Sequence, residues 1–300
     1  DVSTFQSDDA SVLALTVETV HINDRSAVEV ALTAYENLSI SAQAGLASEK
    51  VLLDSLLVEI VRQEAVLAEI SLFKTDNSTI LALTINTVQI SDTTGVENAL
   101  TQYELLSLYA KTQLTSEKAL LDSLVQEIER LESVAFEIFT FNSNYASILS
   151  TTTGTVVIND RFIVEDALYE YDLLSSDAKA QLTTEKVLLD SLLQEIIRQE
   201  DIISEISLFK TTHAIALGLD LTSVQISDRS SIEVALAAYE TVSVDAKAGL
   251  LSEKALLDSV LLEISRLESI RAEVLAFRIA HSTILAFTTN TVEISDRTTV

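Results

Sequence analysis

Apolar residues in this chain recur in a helical rhythm. From Thr115 to Ile148, Leu121, Leu124, Ile128, Leu131, Ala135 and Ile138 follow one another at steps of three and four, the spacing of a seam that packs against other helices. Leu120, Val125, Val134, Phe139 and Phe141 widen that seam into a broad face. The pattern predicts a long helix that opens at Thr115-Ser116-Glu117, where a cap residue is followed by an acid in the first turn. Val96, Ala99, Leu100 and Tyr103 predict a medium helix ending near Ser107, followed by a short helical turn from Tyr109 to Leu114. Upstream, Thr87-Val88-Gln89-Ile90 alternates apolar and polar positions and is β-branched. This predicts a short extended connector with Val88 and Ile90 both turned inward. Ser91-Asp92 then offers a helix cap, and Ser26/Glu29, Thr94/Glu97 and Ser230/Glu233 have capping-box spacing. The polar runs Thr75–Ser78 and Asn142–Asn144 favour local turns, so a kink is expected just after each neighbouring Phe.

This pattern repeats without insertion. Phe5, Phe73, Phe141, Phe209 and Phe277 are 68 residues apart, as are Asp24, Asp92, Asp160, Asp228 and Asp296, and Tyr35, Tyr103, Tyr171 and Tyr239. Leu-Leu-Asp-Ser recurs at 52–55, 120–123, 188–191 and 256–259. The expected organisation is the end of a preceding unit (1–4), four repeats (5–72, 73–140, 141–208, 209–276) and a partial fifth (277–300). A weaker 136-residue alternation places Arg-Gln-Glu at Arg62 and Arg198 but Arg-Leu-Glu at Arg130 and Arg266. The expected fold is all-α: tandem 68-residue three-helix units that share long helices, form an elongated rod, and carry one extended Thr-Val-x-Ile connector each. Phe73, Val88, Ile90, Leu100, Tyr103, Leu121, Leu124 and Ile128 are the expected repeat core, and the five recurring Asp residues are the expected helix caps. Both ends fall inside a repeat and there is no initiator Met, so a piece of a longer protein is expected.

Composition narrows the chemistry. With 46 acidic and 19 basic residues the net charge is −27, which repels nucleic acid and anionic membranes. There is no Cys, hence no disulfide, thiolate site or cysteine nucleophile. No apolar run reaches the roughly 18 residues of a membrane span. No Pro and five Gly suit long helices and leave no glycine-rich phosphate loop. His21, His213 and His281 lack metal-ligand spacing, and no calcium-loop motif is present. Acidic pairs such as Asp8-Asp9, Glu165-Asp166 and Glu200-Asp201 read as a solvated surface, although calcium dependence stays open. The recurring Tyr reads as core. Lys50, Lys118, Lys186 and Lys254 read as surface partners of the Asp four residues later, and Ser39, Ser107, Ser175 and Ser243 as caps. No catalytic residue, cofactor or metal ligand is assigned, and an enzyme is not expected. Asn37 and Asn77 open glycosylation sequons.

The run Val96–Ser107, V-E-x-A-L-x-x-Y-E-x-x-S, followed by A-K-x-x-L and a long acidic helix, resembles the tandem helical modules of large bacterial surface proteins, of the FIVAR type and related stalk modules. The resemblance covers all four repeats. It implies an extracellular or cell-surface, rod-like, three-helix repeat, and it carries over no catalytic residue. The expected function is a stiff structural spacer, the shaft of a stalk, adhesin or filament, associating laterally or head-to-tail with copies of itself. The alternative is a repeated binding module for a host or matrix protein. No nucleic-acid partner is expected, nor membrane contact within this segment.

Overall fold

The computed structural model describes every residue except 288–289, 292, 295–296 and 298–300. Among the described residues the fold is all-helical, without a strand. The chain divides into two compact units, residues Asp1–Glu137 and Ile138–Val300.

The first unit contains two cores. Phe5, Val20, Val28, Leu53, Leu56 and Ile60 belong to one; Phe73, Val88, Val96, Tyr103, Leu121, Leu124 and Ile128 belong to the other. The helix Ala47–Asp76 serves both, giving Leu53, Leu56 and Ile60 to the first core and Phe73 to the second. The medium helices are Arg25–Glu36 and Thr93–Leu105, the short ones Ile40–Gly45 and Leu108–Gln113. In the second unit the helix Thr183–Thr212 likewise gives Leu189, Leu192 and Ile196 to one core and Phe209 to the next. The medium helices there are Arg161–Leu173 and Arg229–Thr241, the short ones Ser176–Gln181 and Val244–Gly249. The other long helices are Thr115–Asn144 and Leu251–Ala280.

Of the expected core residues, Phe73, Val88, Tyr103, Leu121, Leu124 and Ile128 are buried, and Leu100 packs against them half-buried. Ile90 is a correction: it is 40% exposed. The connector is not an extended run. It is a turn closed by Thr87, whose Oγ1 accepts from Thr84 N at 2.9 Å, then Val88 and the extended Gln89, then the 3₁₀ turn Ile90–Asp92. That turn breaks the alternation of sides, so only Val88 faces inward. The T-x-x-T closure recurs at Thr16/Thr19 and Thr152/Thr155, with Asp220/Ser223 in the last copy.

Each long helix ends at one residue that leaves helical geometry: Asn77, His213 and His281 have φ between −106° and −111° and ψ between 16° and 21°. A four-residue helix then resumes, as at Ser78–Leu81. The weak spots after each Phe are therefore real breaks. At this break Asn77 donates to Phe73 O twice, from its backbone N at 3.1 Å and from Nδ2 at 2.9 Å. His213 instead stacks back on Phe209, with ring centroids 4.9 Å apart.

Neither Gly95 nor Gly249 needs a special backbone angle. Each makes room for a neighbour, since an added Cβ would lie 2.6 Å from Ile80 Cδ1 and 2.5 Å from Ile206 Cδ1 respectively.

The fifth Phe differs from the others. Phe209 is 4% exposed and Phe277 58%. Phe209→Ala should therefore cost about 3–5 kcal/mol in the urea transition that reports its core, whereas Phe277→Ala should leave that transition within about 0.5 kcal/mol.

Candidate functional site

The polar residues most tightly organised by the fold lie where the long helix of one repeat meets the short helix of the next. In the first unit the Arg62 guanidinium lies 3.9 Å from the Tyr109 ring centroid. Ser107 N donates to Glu69 Oε2 at 3.1 Å, and Lys74 pairs with Glu117 at 2.7 Å. In the second unit the equivalent residues make equivalent links. Arg198 pairs with Asp245 at 2.6 Å, Ser243 N and Oγ both donate to Glu205, and Lys210 pairs with Glu253 at 2.7 Å. The 136-residue alternation also acquires a physical meaning. Gln63 and Gln199 donate to the connector carbonyls of Val20 and Val156 at 2.9 and 3.0 Å, which Leu131 and Leu267 have no group to do.

The recurring Tyr is structural. Tyr103 meets Phe73 edge to face at 6.1 Å, and its hydroxyl donates to Lys111 O at 3.2 Å, fastening the medium helix to the short one. Tyr35, Tyr171 and Tyr239 do the same with Gln43, Lys179 and Lys247. Lys118 pairs with Asp122 at 2.7 Å along the helix surface, as do its three counterparts. Ser39, Ser107, Ser175 and Ser243 cap the short helices, each Oγ accepting from the backbone N–H three residues on.

Three expectations need correction. Asp24, Asp92, Asp160 and Asp228 do not cap the medium helix with their side chains. Each Oδ2 instead reaches back to accept from the N–H three residues earlier, at 2.8–3.0 Å, closing the 3₁₀ turn. Asp296 lies outside the described residues. Ser26, Thr94 and Ser230 sit inside the medium helices, because the Asp takes the position before the first helical residue. Glu29 and Glu233 turn to Arg25 and Arg229 instead. Asn77 is 5% exposed, with its amide bound to Phe73 O and Gln102 Oε1. It offers no acceptor for sugar in the folded chain, while Asn37 is exposed.

Among the described residues no group of three or more His, Asp or Glu is placed to hold a metal ion. Among the described residues no helix is long and apolar enough to cross a membrane. Two clefts among the described residues are open grooves along helices. One is lined by Val51, Asp54 and Val58, another by Leu72, Gln102 and Leu105. No family model, curated protein or solved structure matches the chain.

The shifted acids have structural causes. Hydrogen bonds from Arg62, then Gln63, draw the Glu59 carboxyl from 4.5 down to about 2, and Arg198 and Gln199 do the same to Glu195. Both acids have a lower pKa folded than unfolded. Their stabilisation is complete above about pH 4.5 and is lost as pH falls toward 2. Glu59→Gln with Glu195→Gln should flatten the melting-temperature profile across that window and leave its slope near pH 7 unchanged.

One junction lacks its cation. Glu117 and Glu253 are held acidic by Lys74 and Lys210. At the matching place Glu185 faces a copy in which the Lys is Asn142, and Glu185 Oε2 is buried without a hydrogen-bond partner. Asn142→Lys should raise stability by about 1 kcal/mol. The gain should show as a higher denaturation midpoint with an unchanged m-value.

Proposed function

We propose that this chain is a structural repeat segment of an extracellular stalk, adhesin shaft or filament, acting as a stiff spacer. The observation that carries the reading is the helix Ala47–Asp76, with Thr183–Thr212 in the second unit. Each belongs to two successive cores, so these cores are joined by packed helix and not by a flexible linker. In this reading the 68-residue repeats are stacked into an elongated rod. The extracellular or cell-surface placement follows from the resemblance to surface-protein stalk modules.

Association with copies of itself is supported by the outer side of Ala47–Asp76. Val51, Val58, Val61, Ala65, Ala68 and Leu72 follow a three-four spacing there, and Val51, Val58 and Leu72 are more than 60% exposed. Such a stripe gains by burial against another helix. The alternative, a module that binds the same host or matrix ligand in every repeat, requires one exposed surface common to all copies. The exposed positions differ instead, as at Val58, Gln126, Gln194 and Leu262.

A compact 300-residue protein has a radius of gyration near 19 Å. Four stacked repeats built on helices of about 45 Å should exceed about 40 Å. Small-angle scattering with sedimentation velocity on this chain tests the reading: an extended particle is expected, and a value near 19 Å overturns it.

A further inference from the structure

The third repeat carries two aromatic residues, Phe162 and Tyr169, that the other three lack at these places. On the helix Arg161–Leu173, Phe162 is 80% exposed, Tyr169 62% and Leu173 63%. At about 100° per residue the three fall within roughly 40° of one another. They lie opposite Val164, Ala167 and Tyr171, which face the core. They form a straight apolar line about 16 Å long on the outside of the helix. The first copy has Ser26, Thr33 and Asn37 at these places, the second Thr94, Thr101 and Leu105, and the fourth Ser230, Ala237 and Thr241. The fold therefore does not require the aromatic rings, since the same helix forms without them.

The rims of the line are acidic. Glu170 and Asp172 are exposed, and Glu165, also exposed, is paired with Arg161 at 2.8 Å. Asp166 is held beside the line by Tyr145, whose hydroxyl donates to Asp166 Oδ2 at 2.8 Å. Tyr145 too is peculiar to this copy, standing where the others have Asp9, Asn77 and His213. Scattered exposed apolar residues are ordinary. Two aromatic residues and a Leu aligned on one helix face, with charge confined to the edges, have the anatomy of a binding patch: an aromatic centre and a polar rim.

We propose that this face of the Arg161–Leu173 helix is a docking surface for a cationic amphipathic helix of another protein. The apolar stripe of that helix would lie along Phe162, Tyr169 and Leu173, and its Lys or Arg side chains would meet Glu170 and Asp172. Charge complementarity selects this occupant over a second copy of the same face, because that copy would set its own Glu170 and Asp172 against these, and like-charged faces repel. The site is single, not repeated, and it stands apart from the spacer reading.

The test uses the whole chain and a Lys/Leu helical peptide with leucines at three-four spacing and one Trp. The chain has no Trp, so the peptide fluorescence reports binding alone. Phe162→Thr with Tyr169→Thr restores the residues of the second copy and keeps the charge, and Leu173→Asn restores that of the first. Circular dichroism checks that the variants stay helical. At about 0.15 M salt, where exposed charges beyond about 8 Å are screened, one peptide should bind per chain. Its affinity should fall at least about tenfold in the double variant and again with Leu173→Asn. A peptide of the same composition in shuffled order should bind the intact chain as weakly as the ordered peptide binds the double variant. Equal affinity for intact chain and double variant, several peptides per chain, or no binding would overturn the proposal. So would a chain that dimerises by itself and becomes monomeric in the double variant, since the occupant would then be a second copy.

Discussion

A helix has one register along its whole length, and the rest of this structure follows from that. In Ala47–Asp76 the residues that enter one core, Leu53, Leu56 and Ile60, and Phe73, which enters the next, lie on faces about 130° apart. Neither core can turn without turning the other. The chain meets this constraint by ending each long helix a few residues past the Phe, at a single non-helical position, and by restarting in a four-residue helix that leads to the connector. The absence of Pro and the scarcity of Gly agree with this design, since among the described residues no backbone takes a positive φ.

The polar contacts serve the same geometry. Tyr103 is at once a core ring and a clamp on the next short helix, and its counterparts repeat that double role. Ion pairs such as Lys74–Glu117 and Lys210–Glu253 tie the end of one long helix to the start of the next. Their partly buried carboxylates give them more weight than exposed pairs. Acid, base and hydroxyl groups thus fasten helices to one another.

Much of this was legible in the sequence because three-four spacing is a direct projection of burial. Phe73, Val88, Tyr103, Leu121, Leu124 and Ile128 could be placed by rhythm alone, and the capping serines by their position between two helical patterns. What failed was local. A three-residue 3₁₀ turn reverses the sides that alternation assigns, and so Ile90 faces outward. An Asp before a helix can bond forward or back, and composition does not say which. A sequon such as Asn77-Ser78-Thr79 carries no information on burial, which only the packing against Phe73 and Gln102 reveals. The Phe162–Tyr169–Leu173 line was hidden differently: comparison between repeats draws the eye to what they share, and this face is what one of them does not.

The long-range polar links join residues of modest separation. Gln63 reaches Val20 and Lys74 reaches Glu117, each 43 residues along the chain, and the core that contains Phe5 is complete by Ile60. No core waits for a distant partner. Loop-closure entropy stays small and contact order low, so each core can form as soon as its own stretch of chain is available. During synthesis the protein can fold from its amino-terminal end onward, with each finished core templating the helix that begins the next.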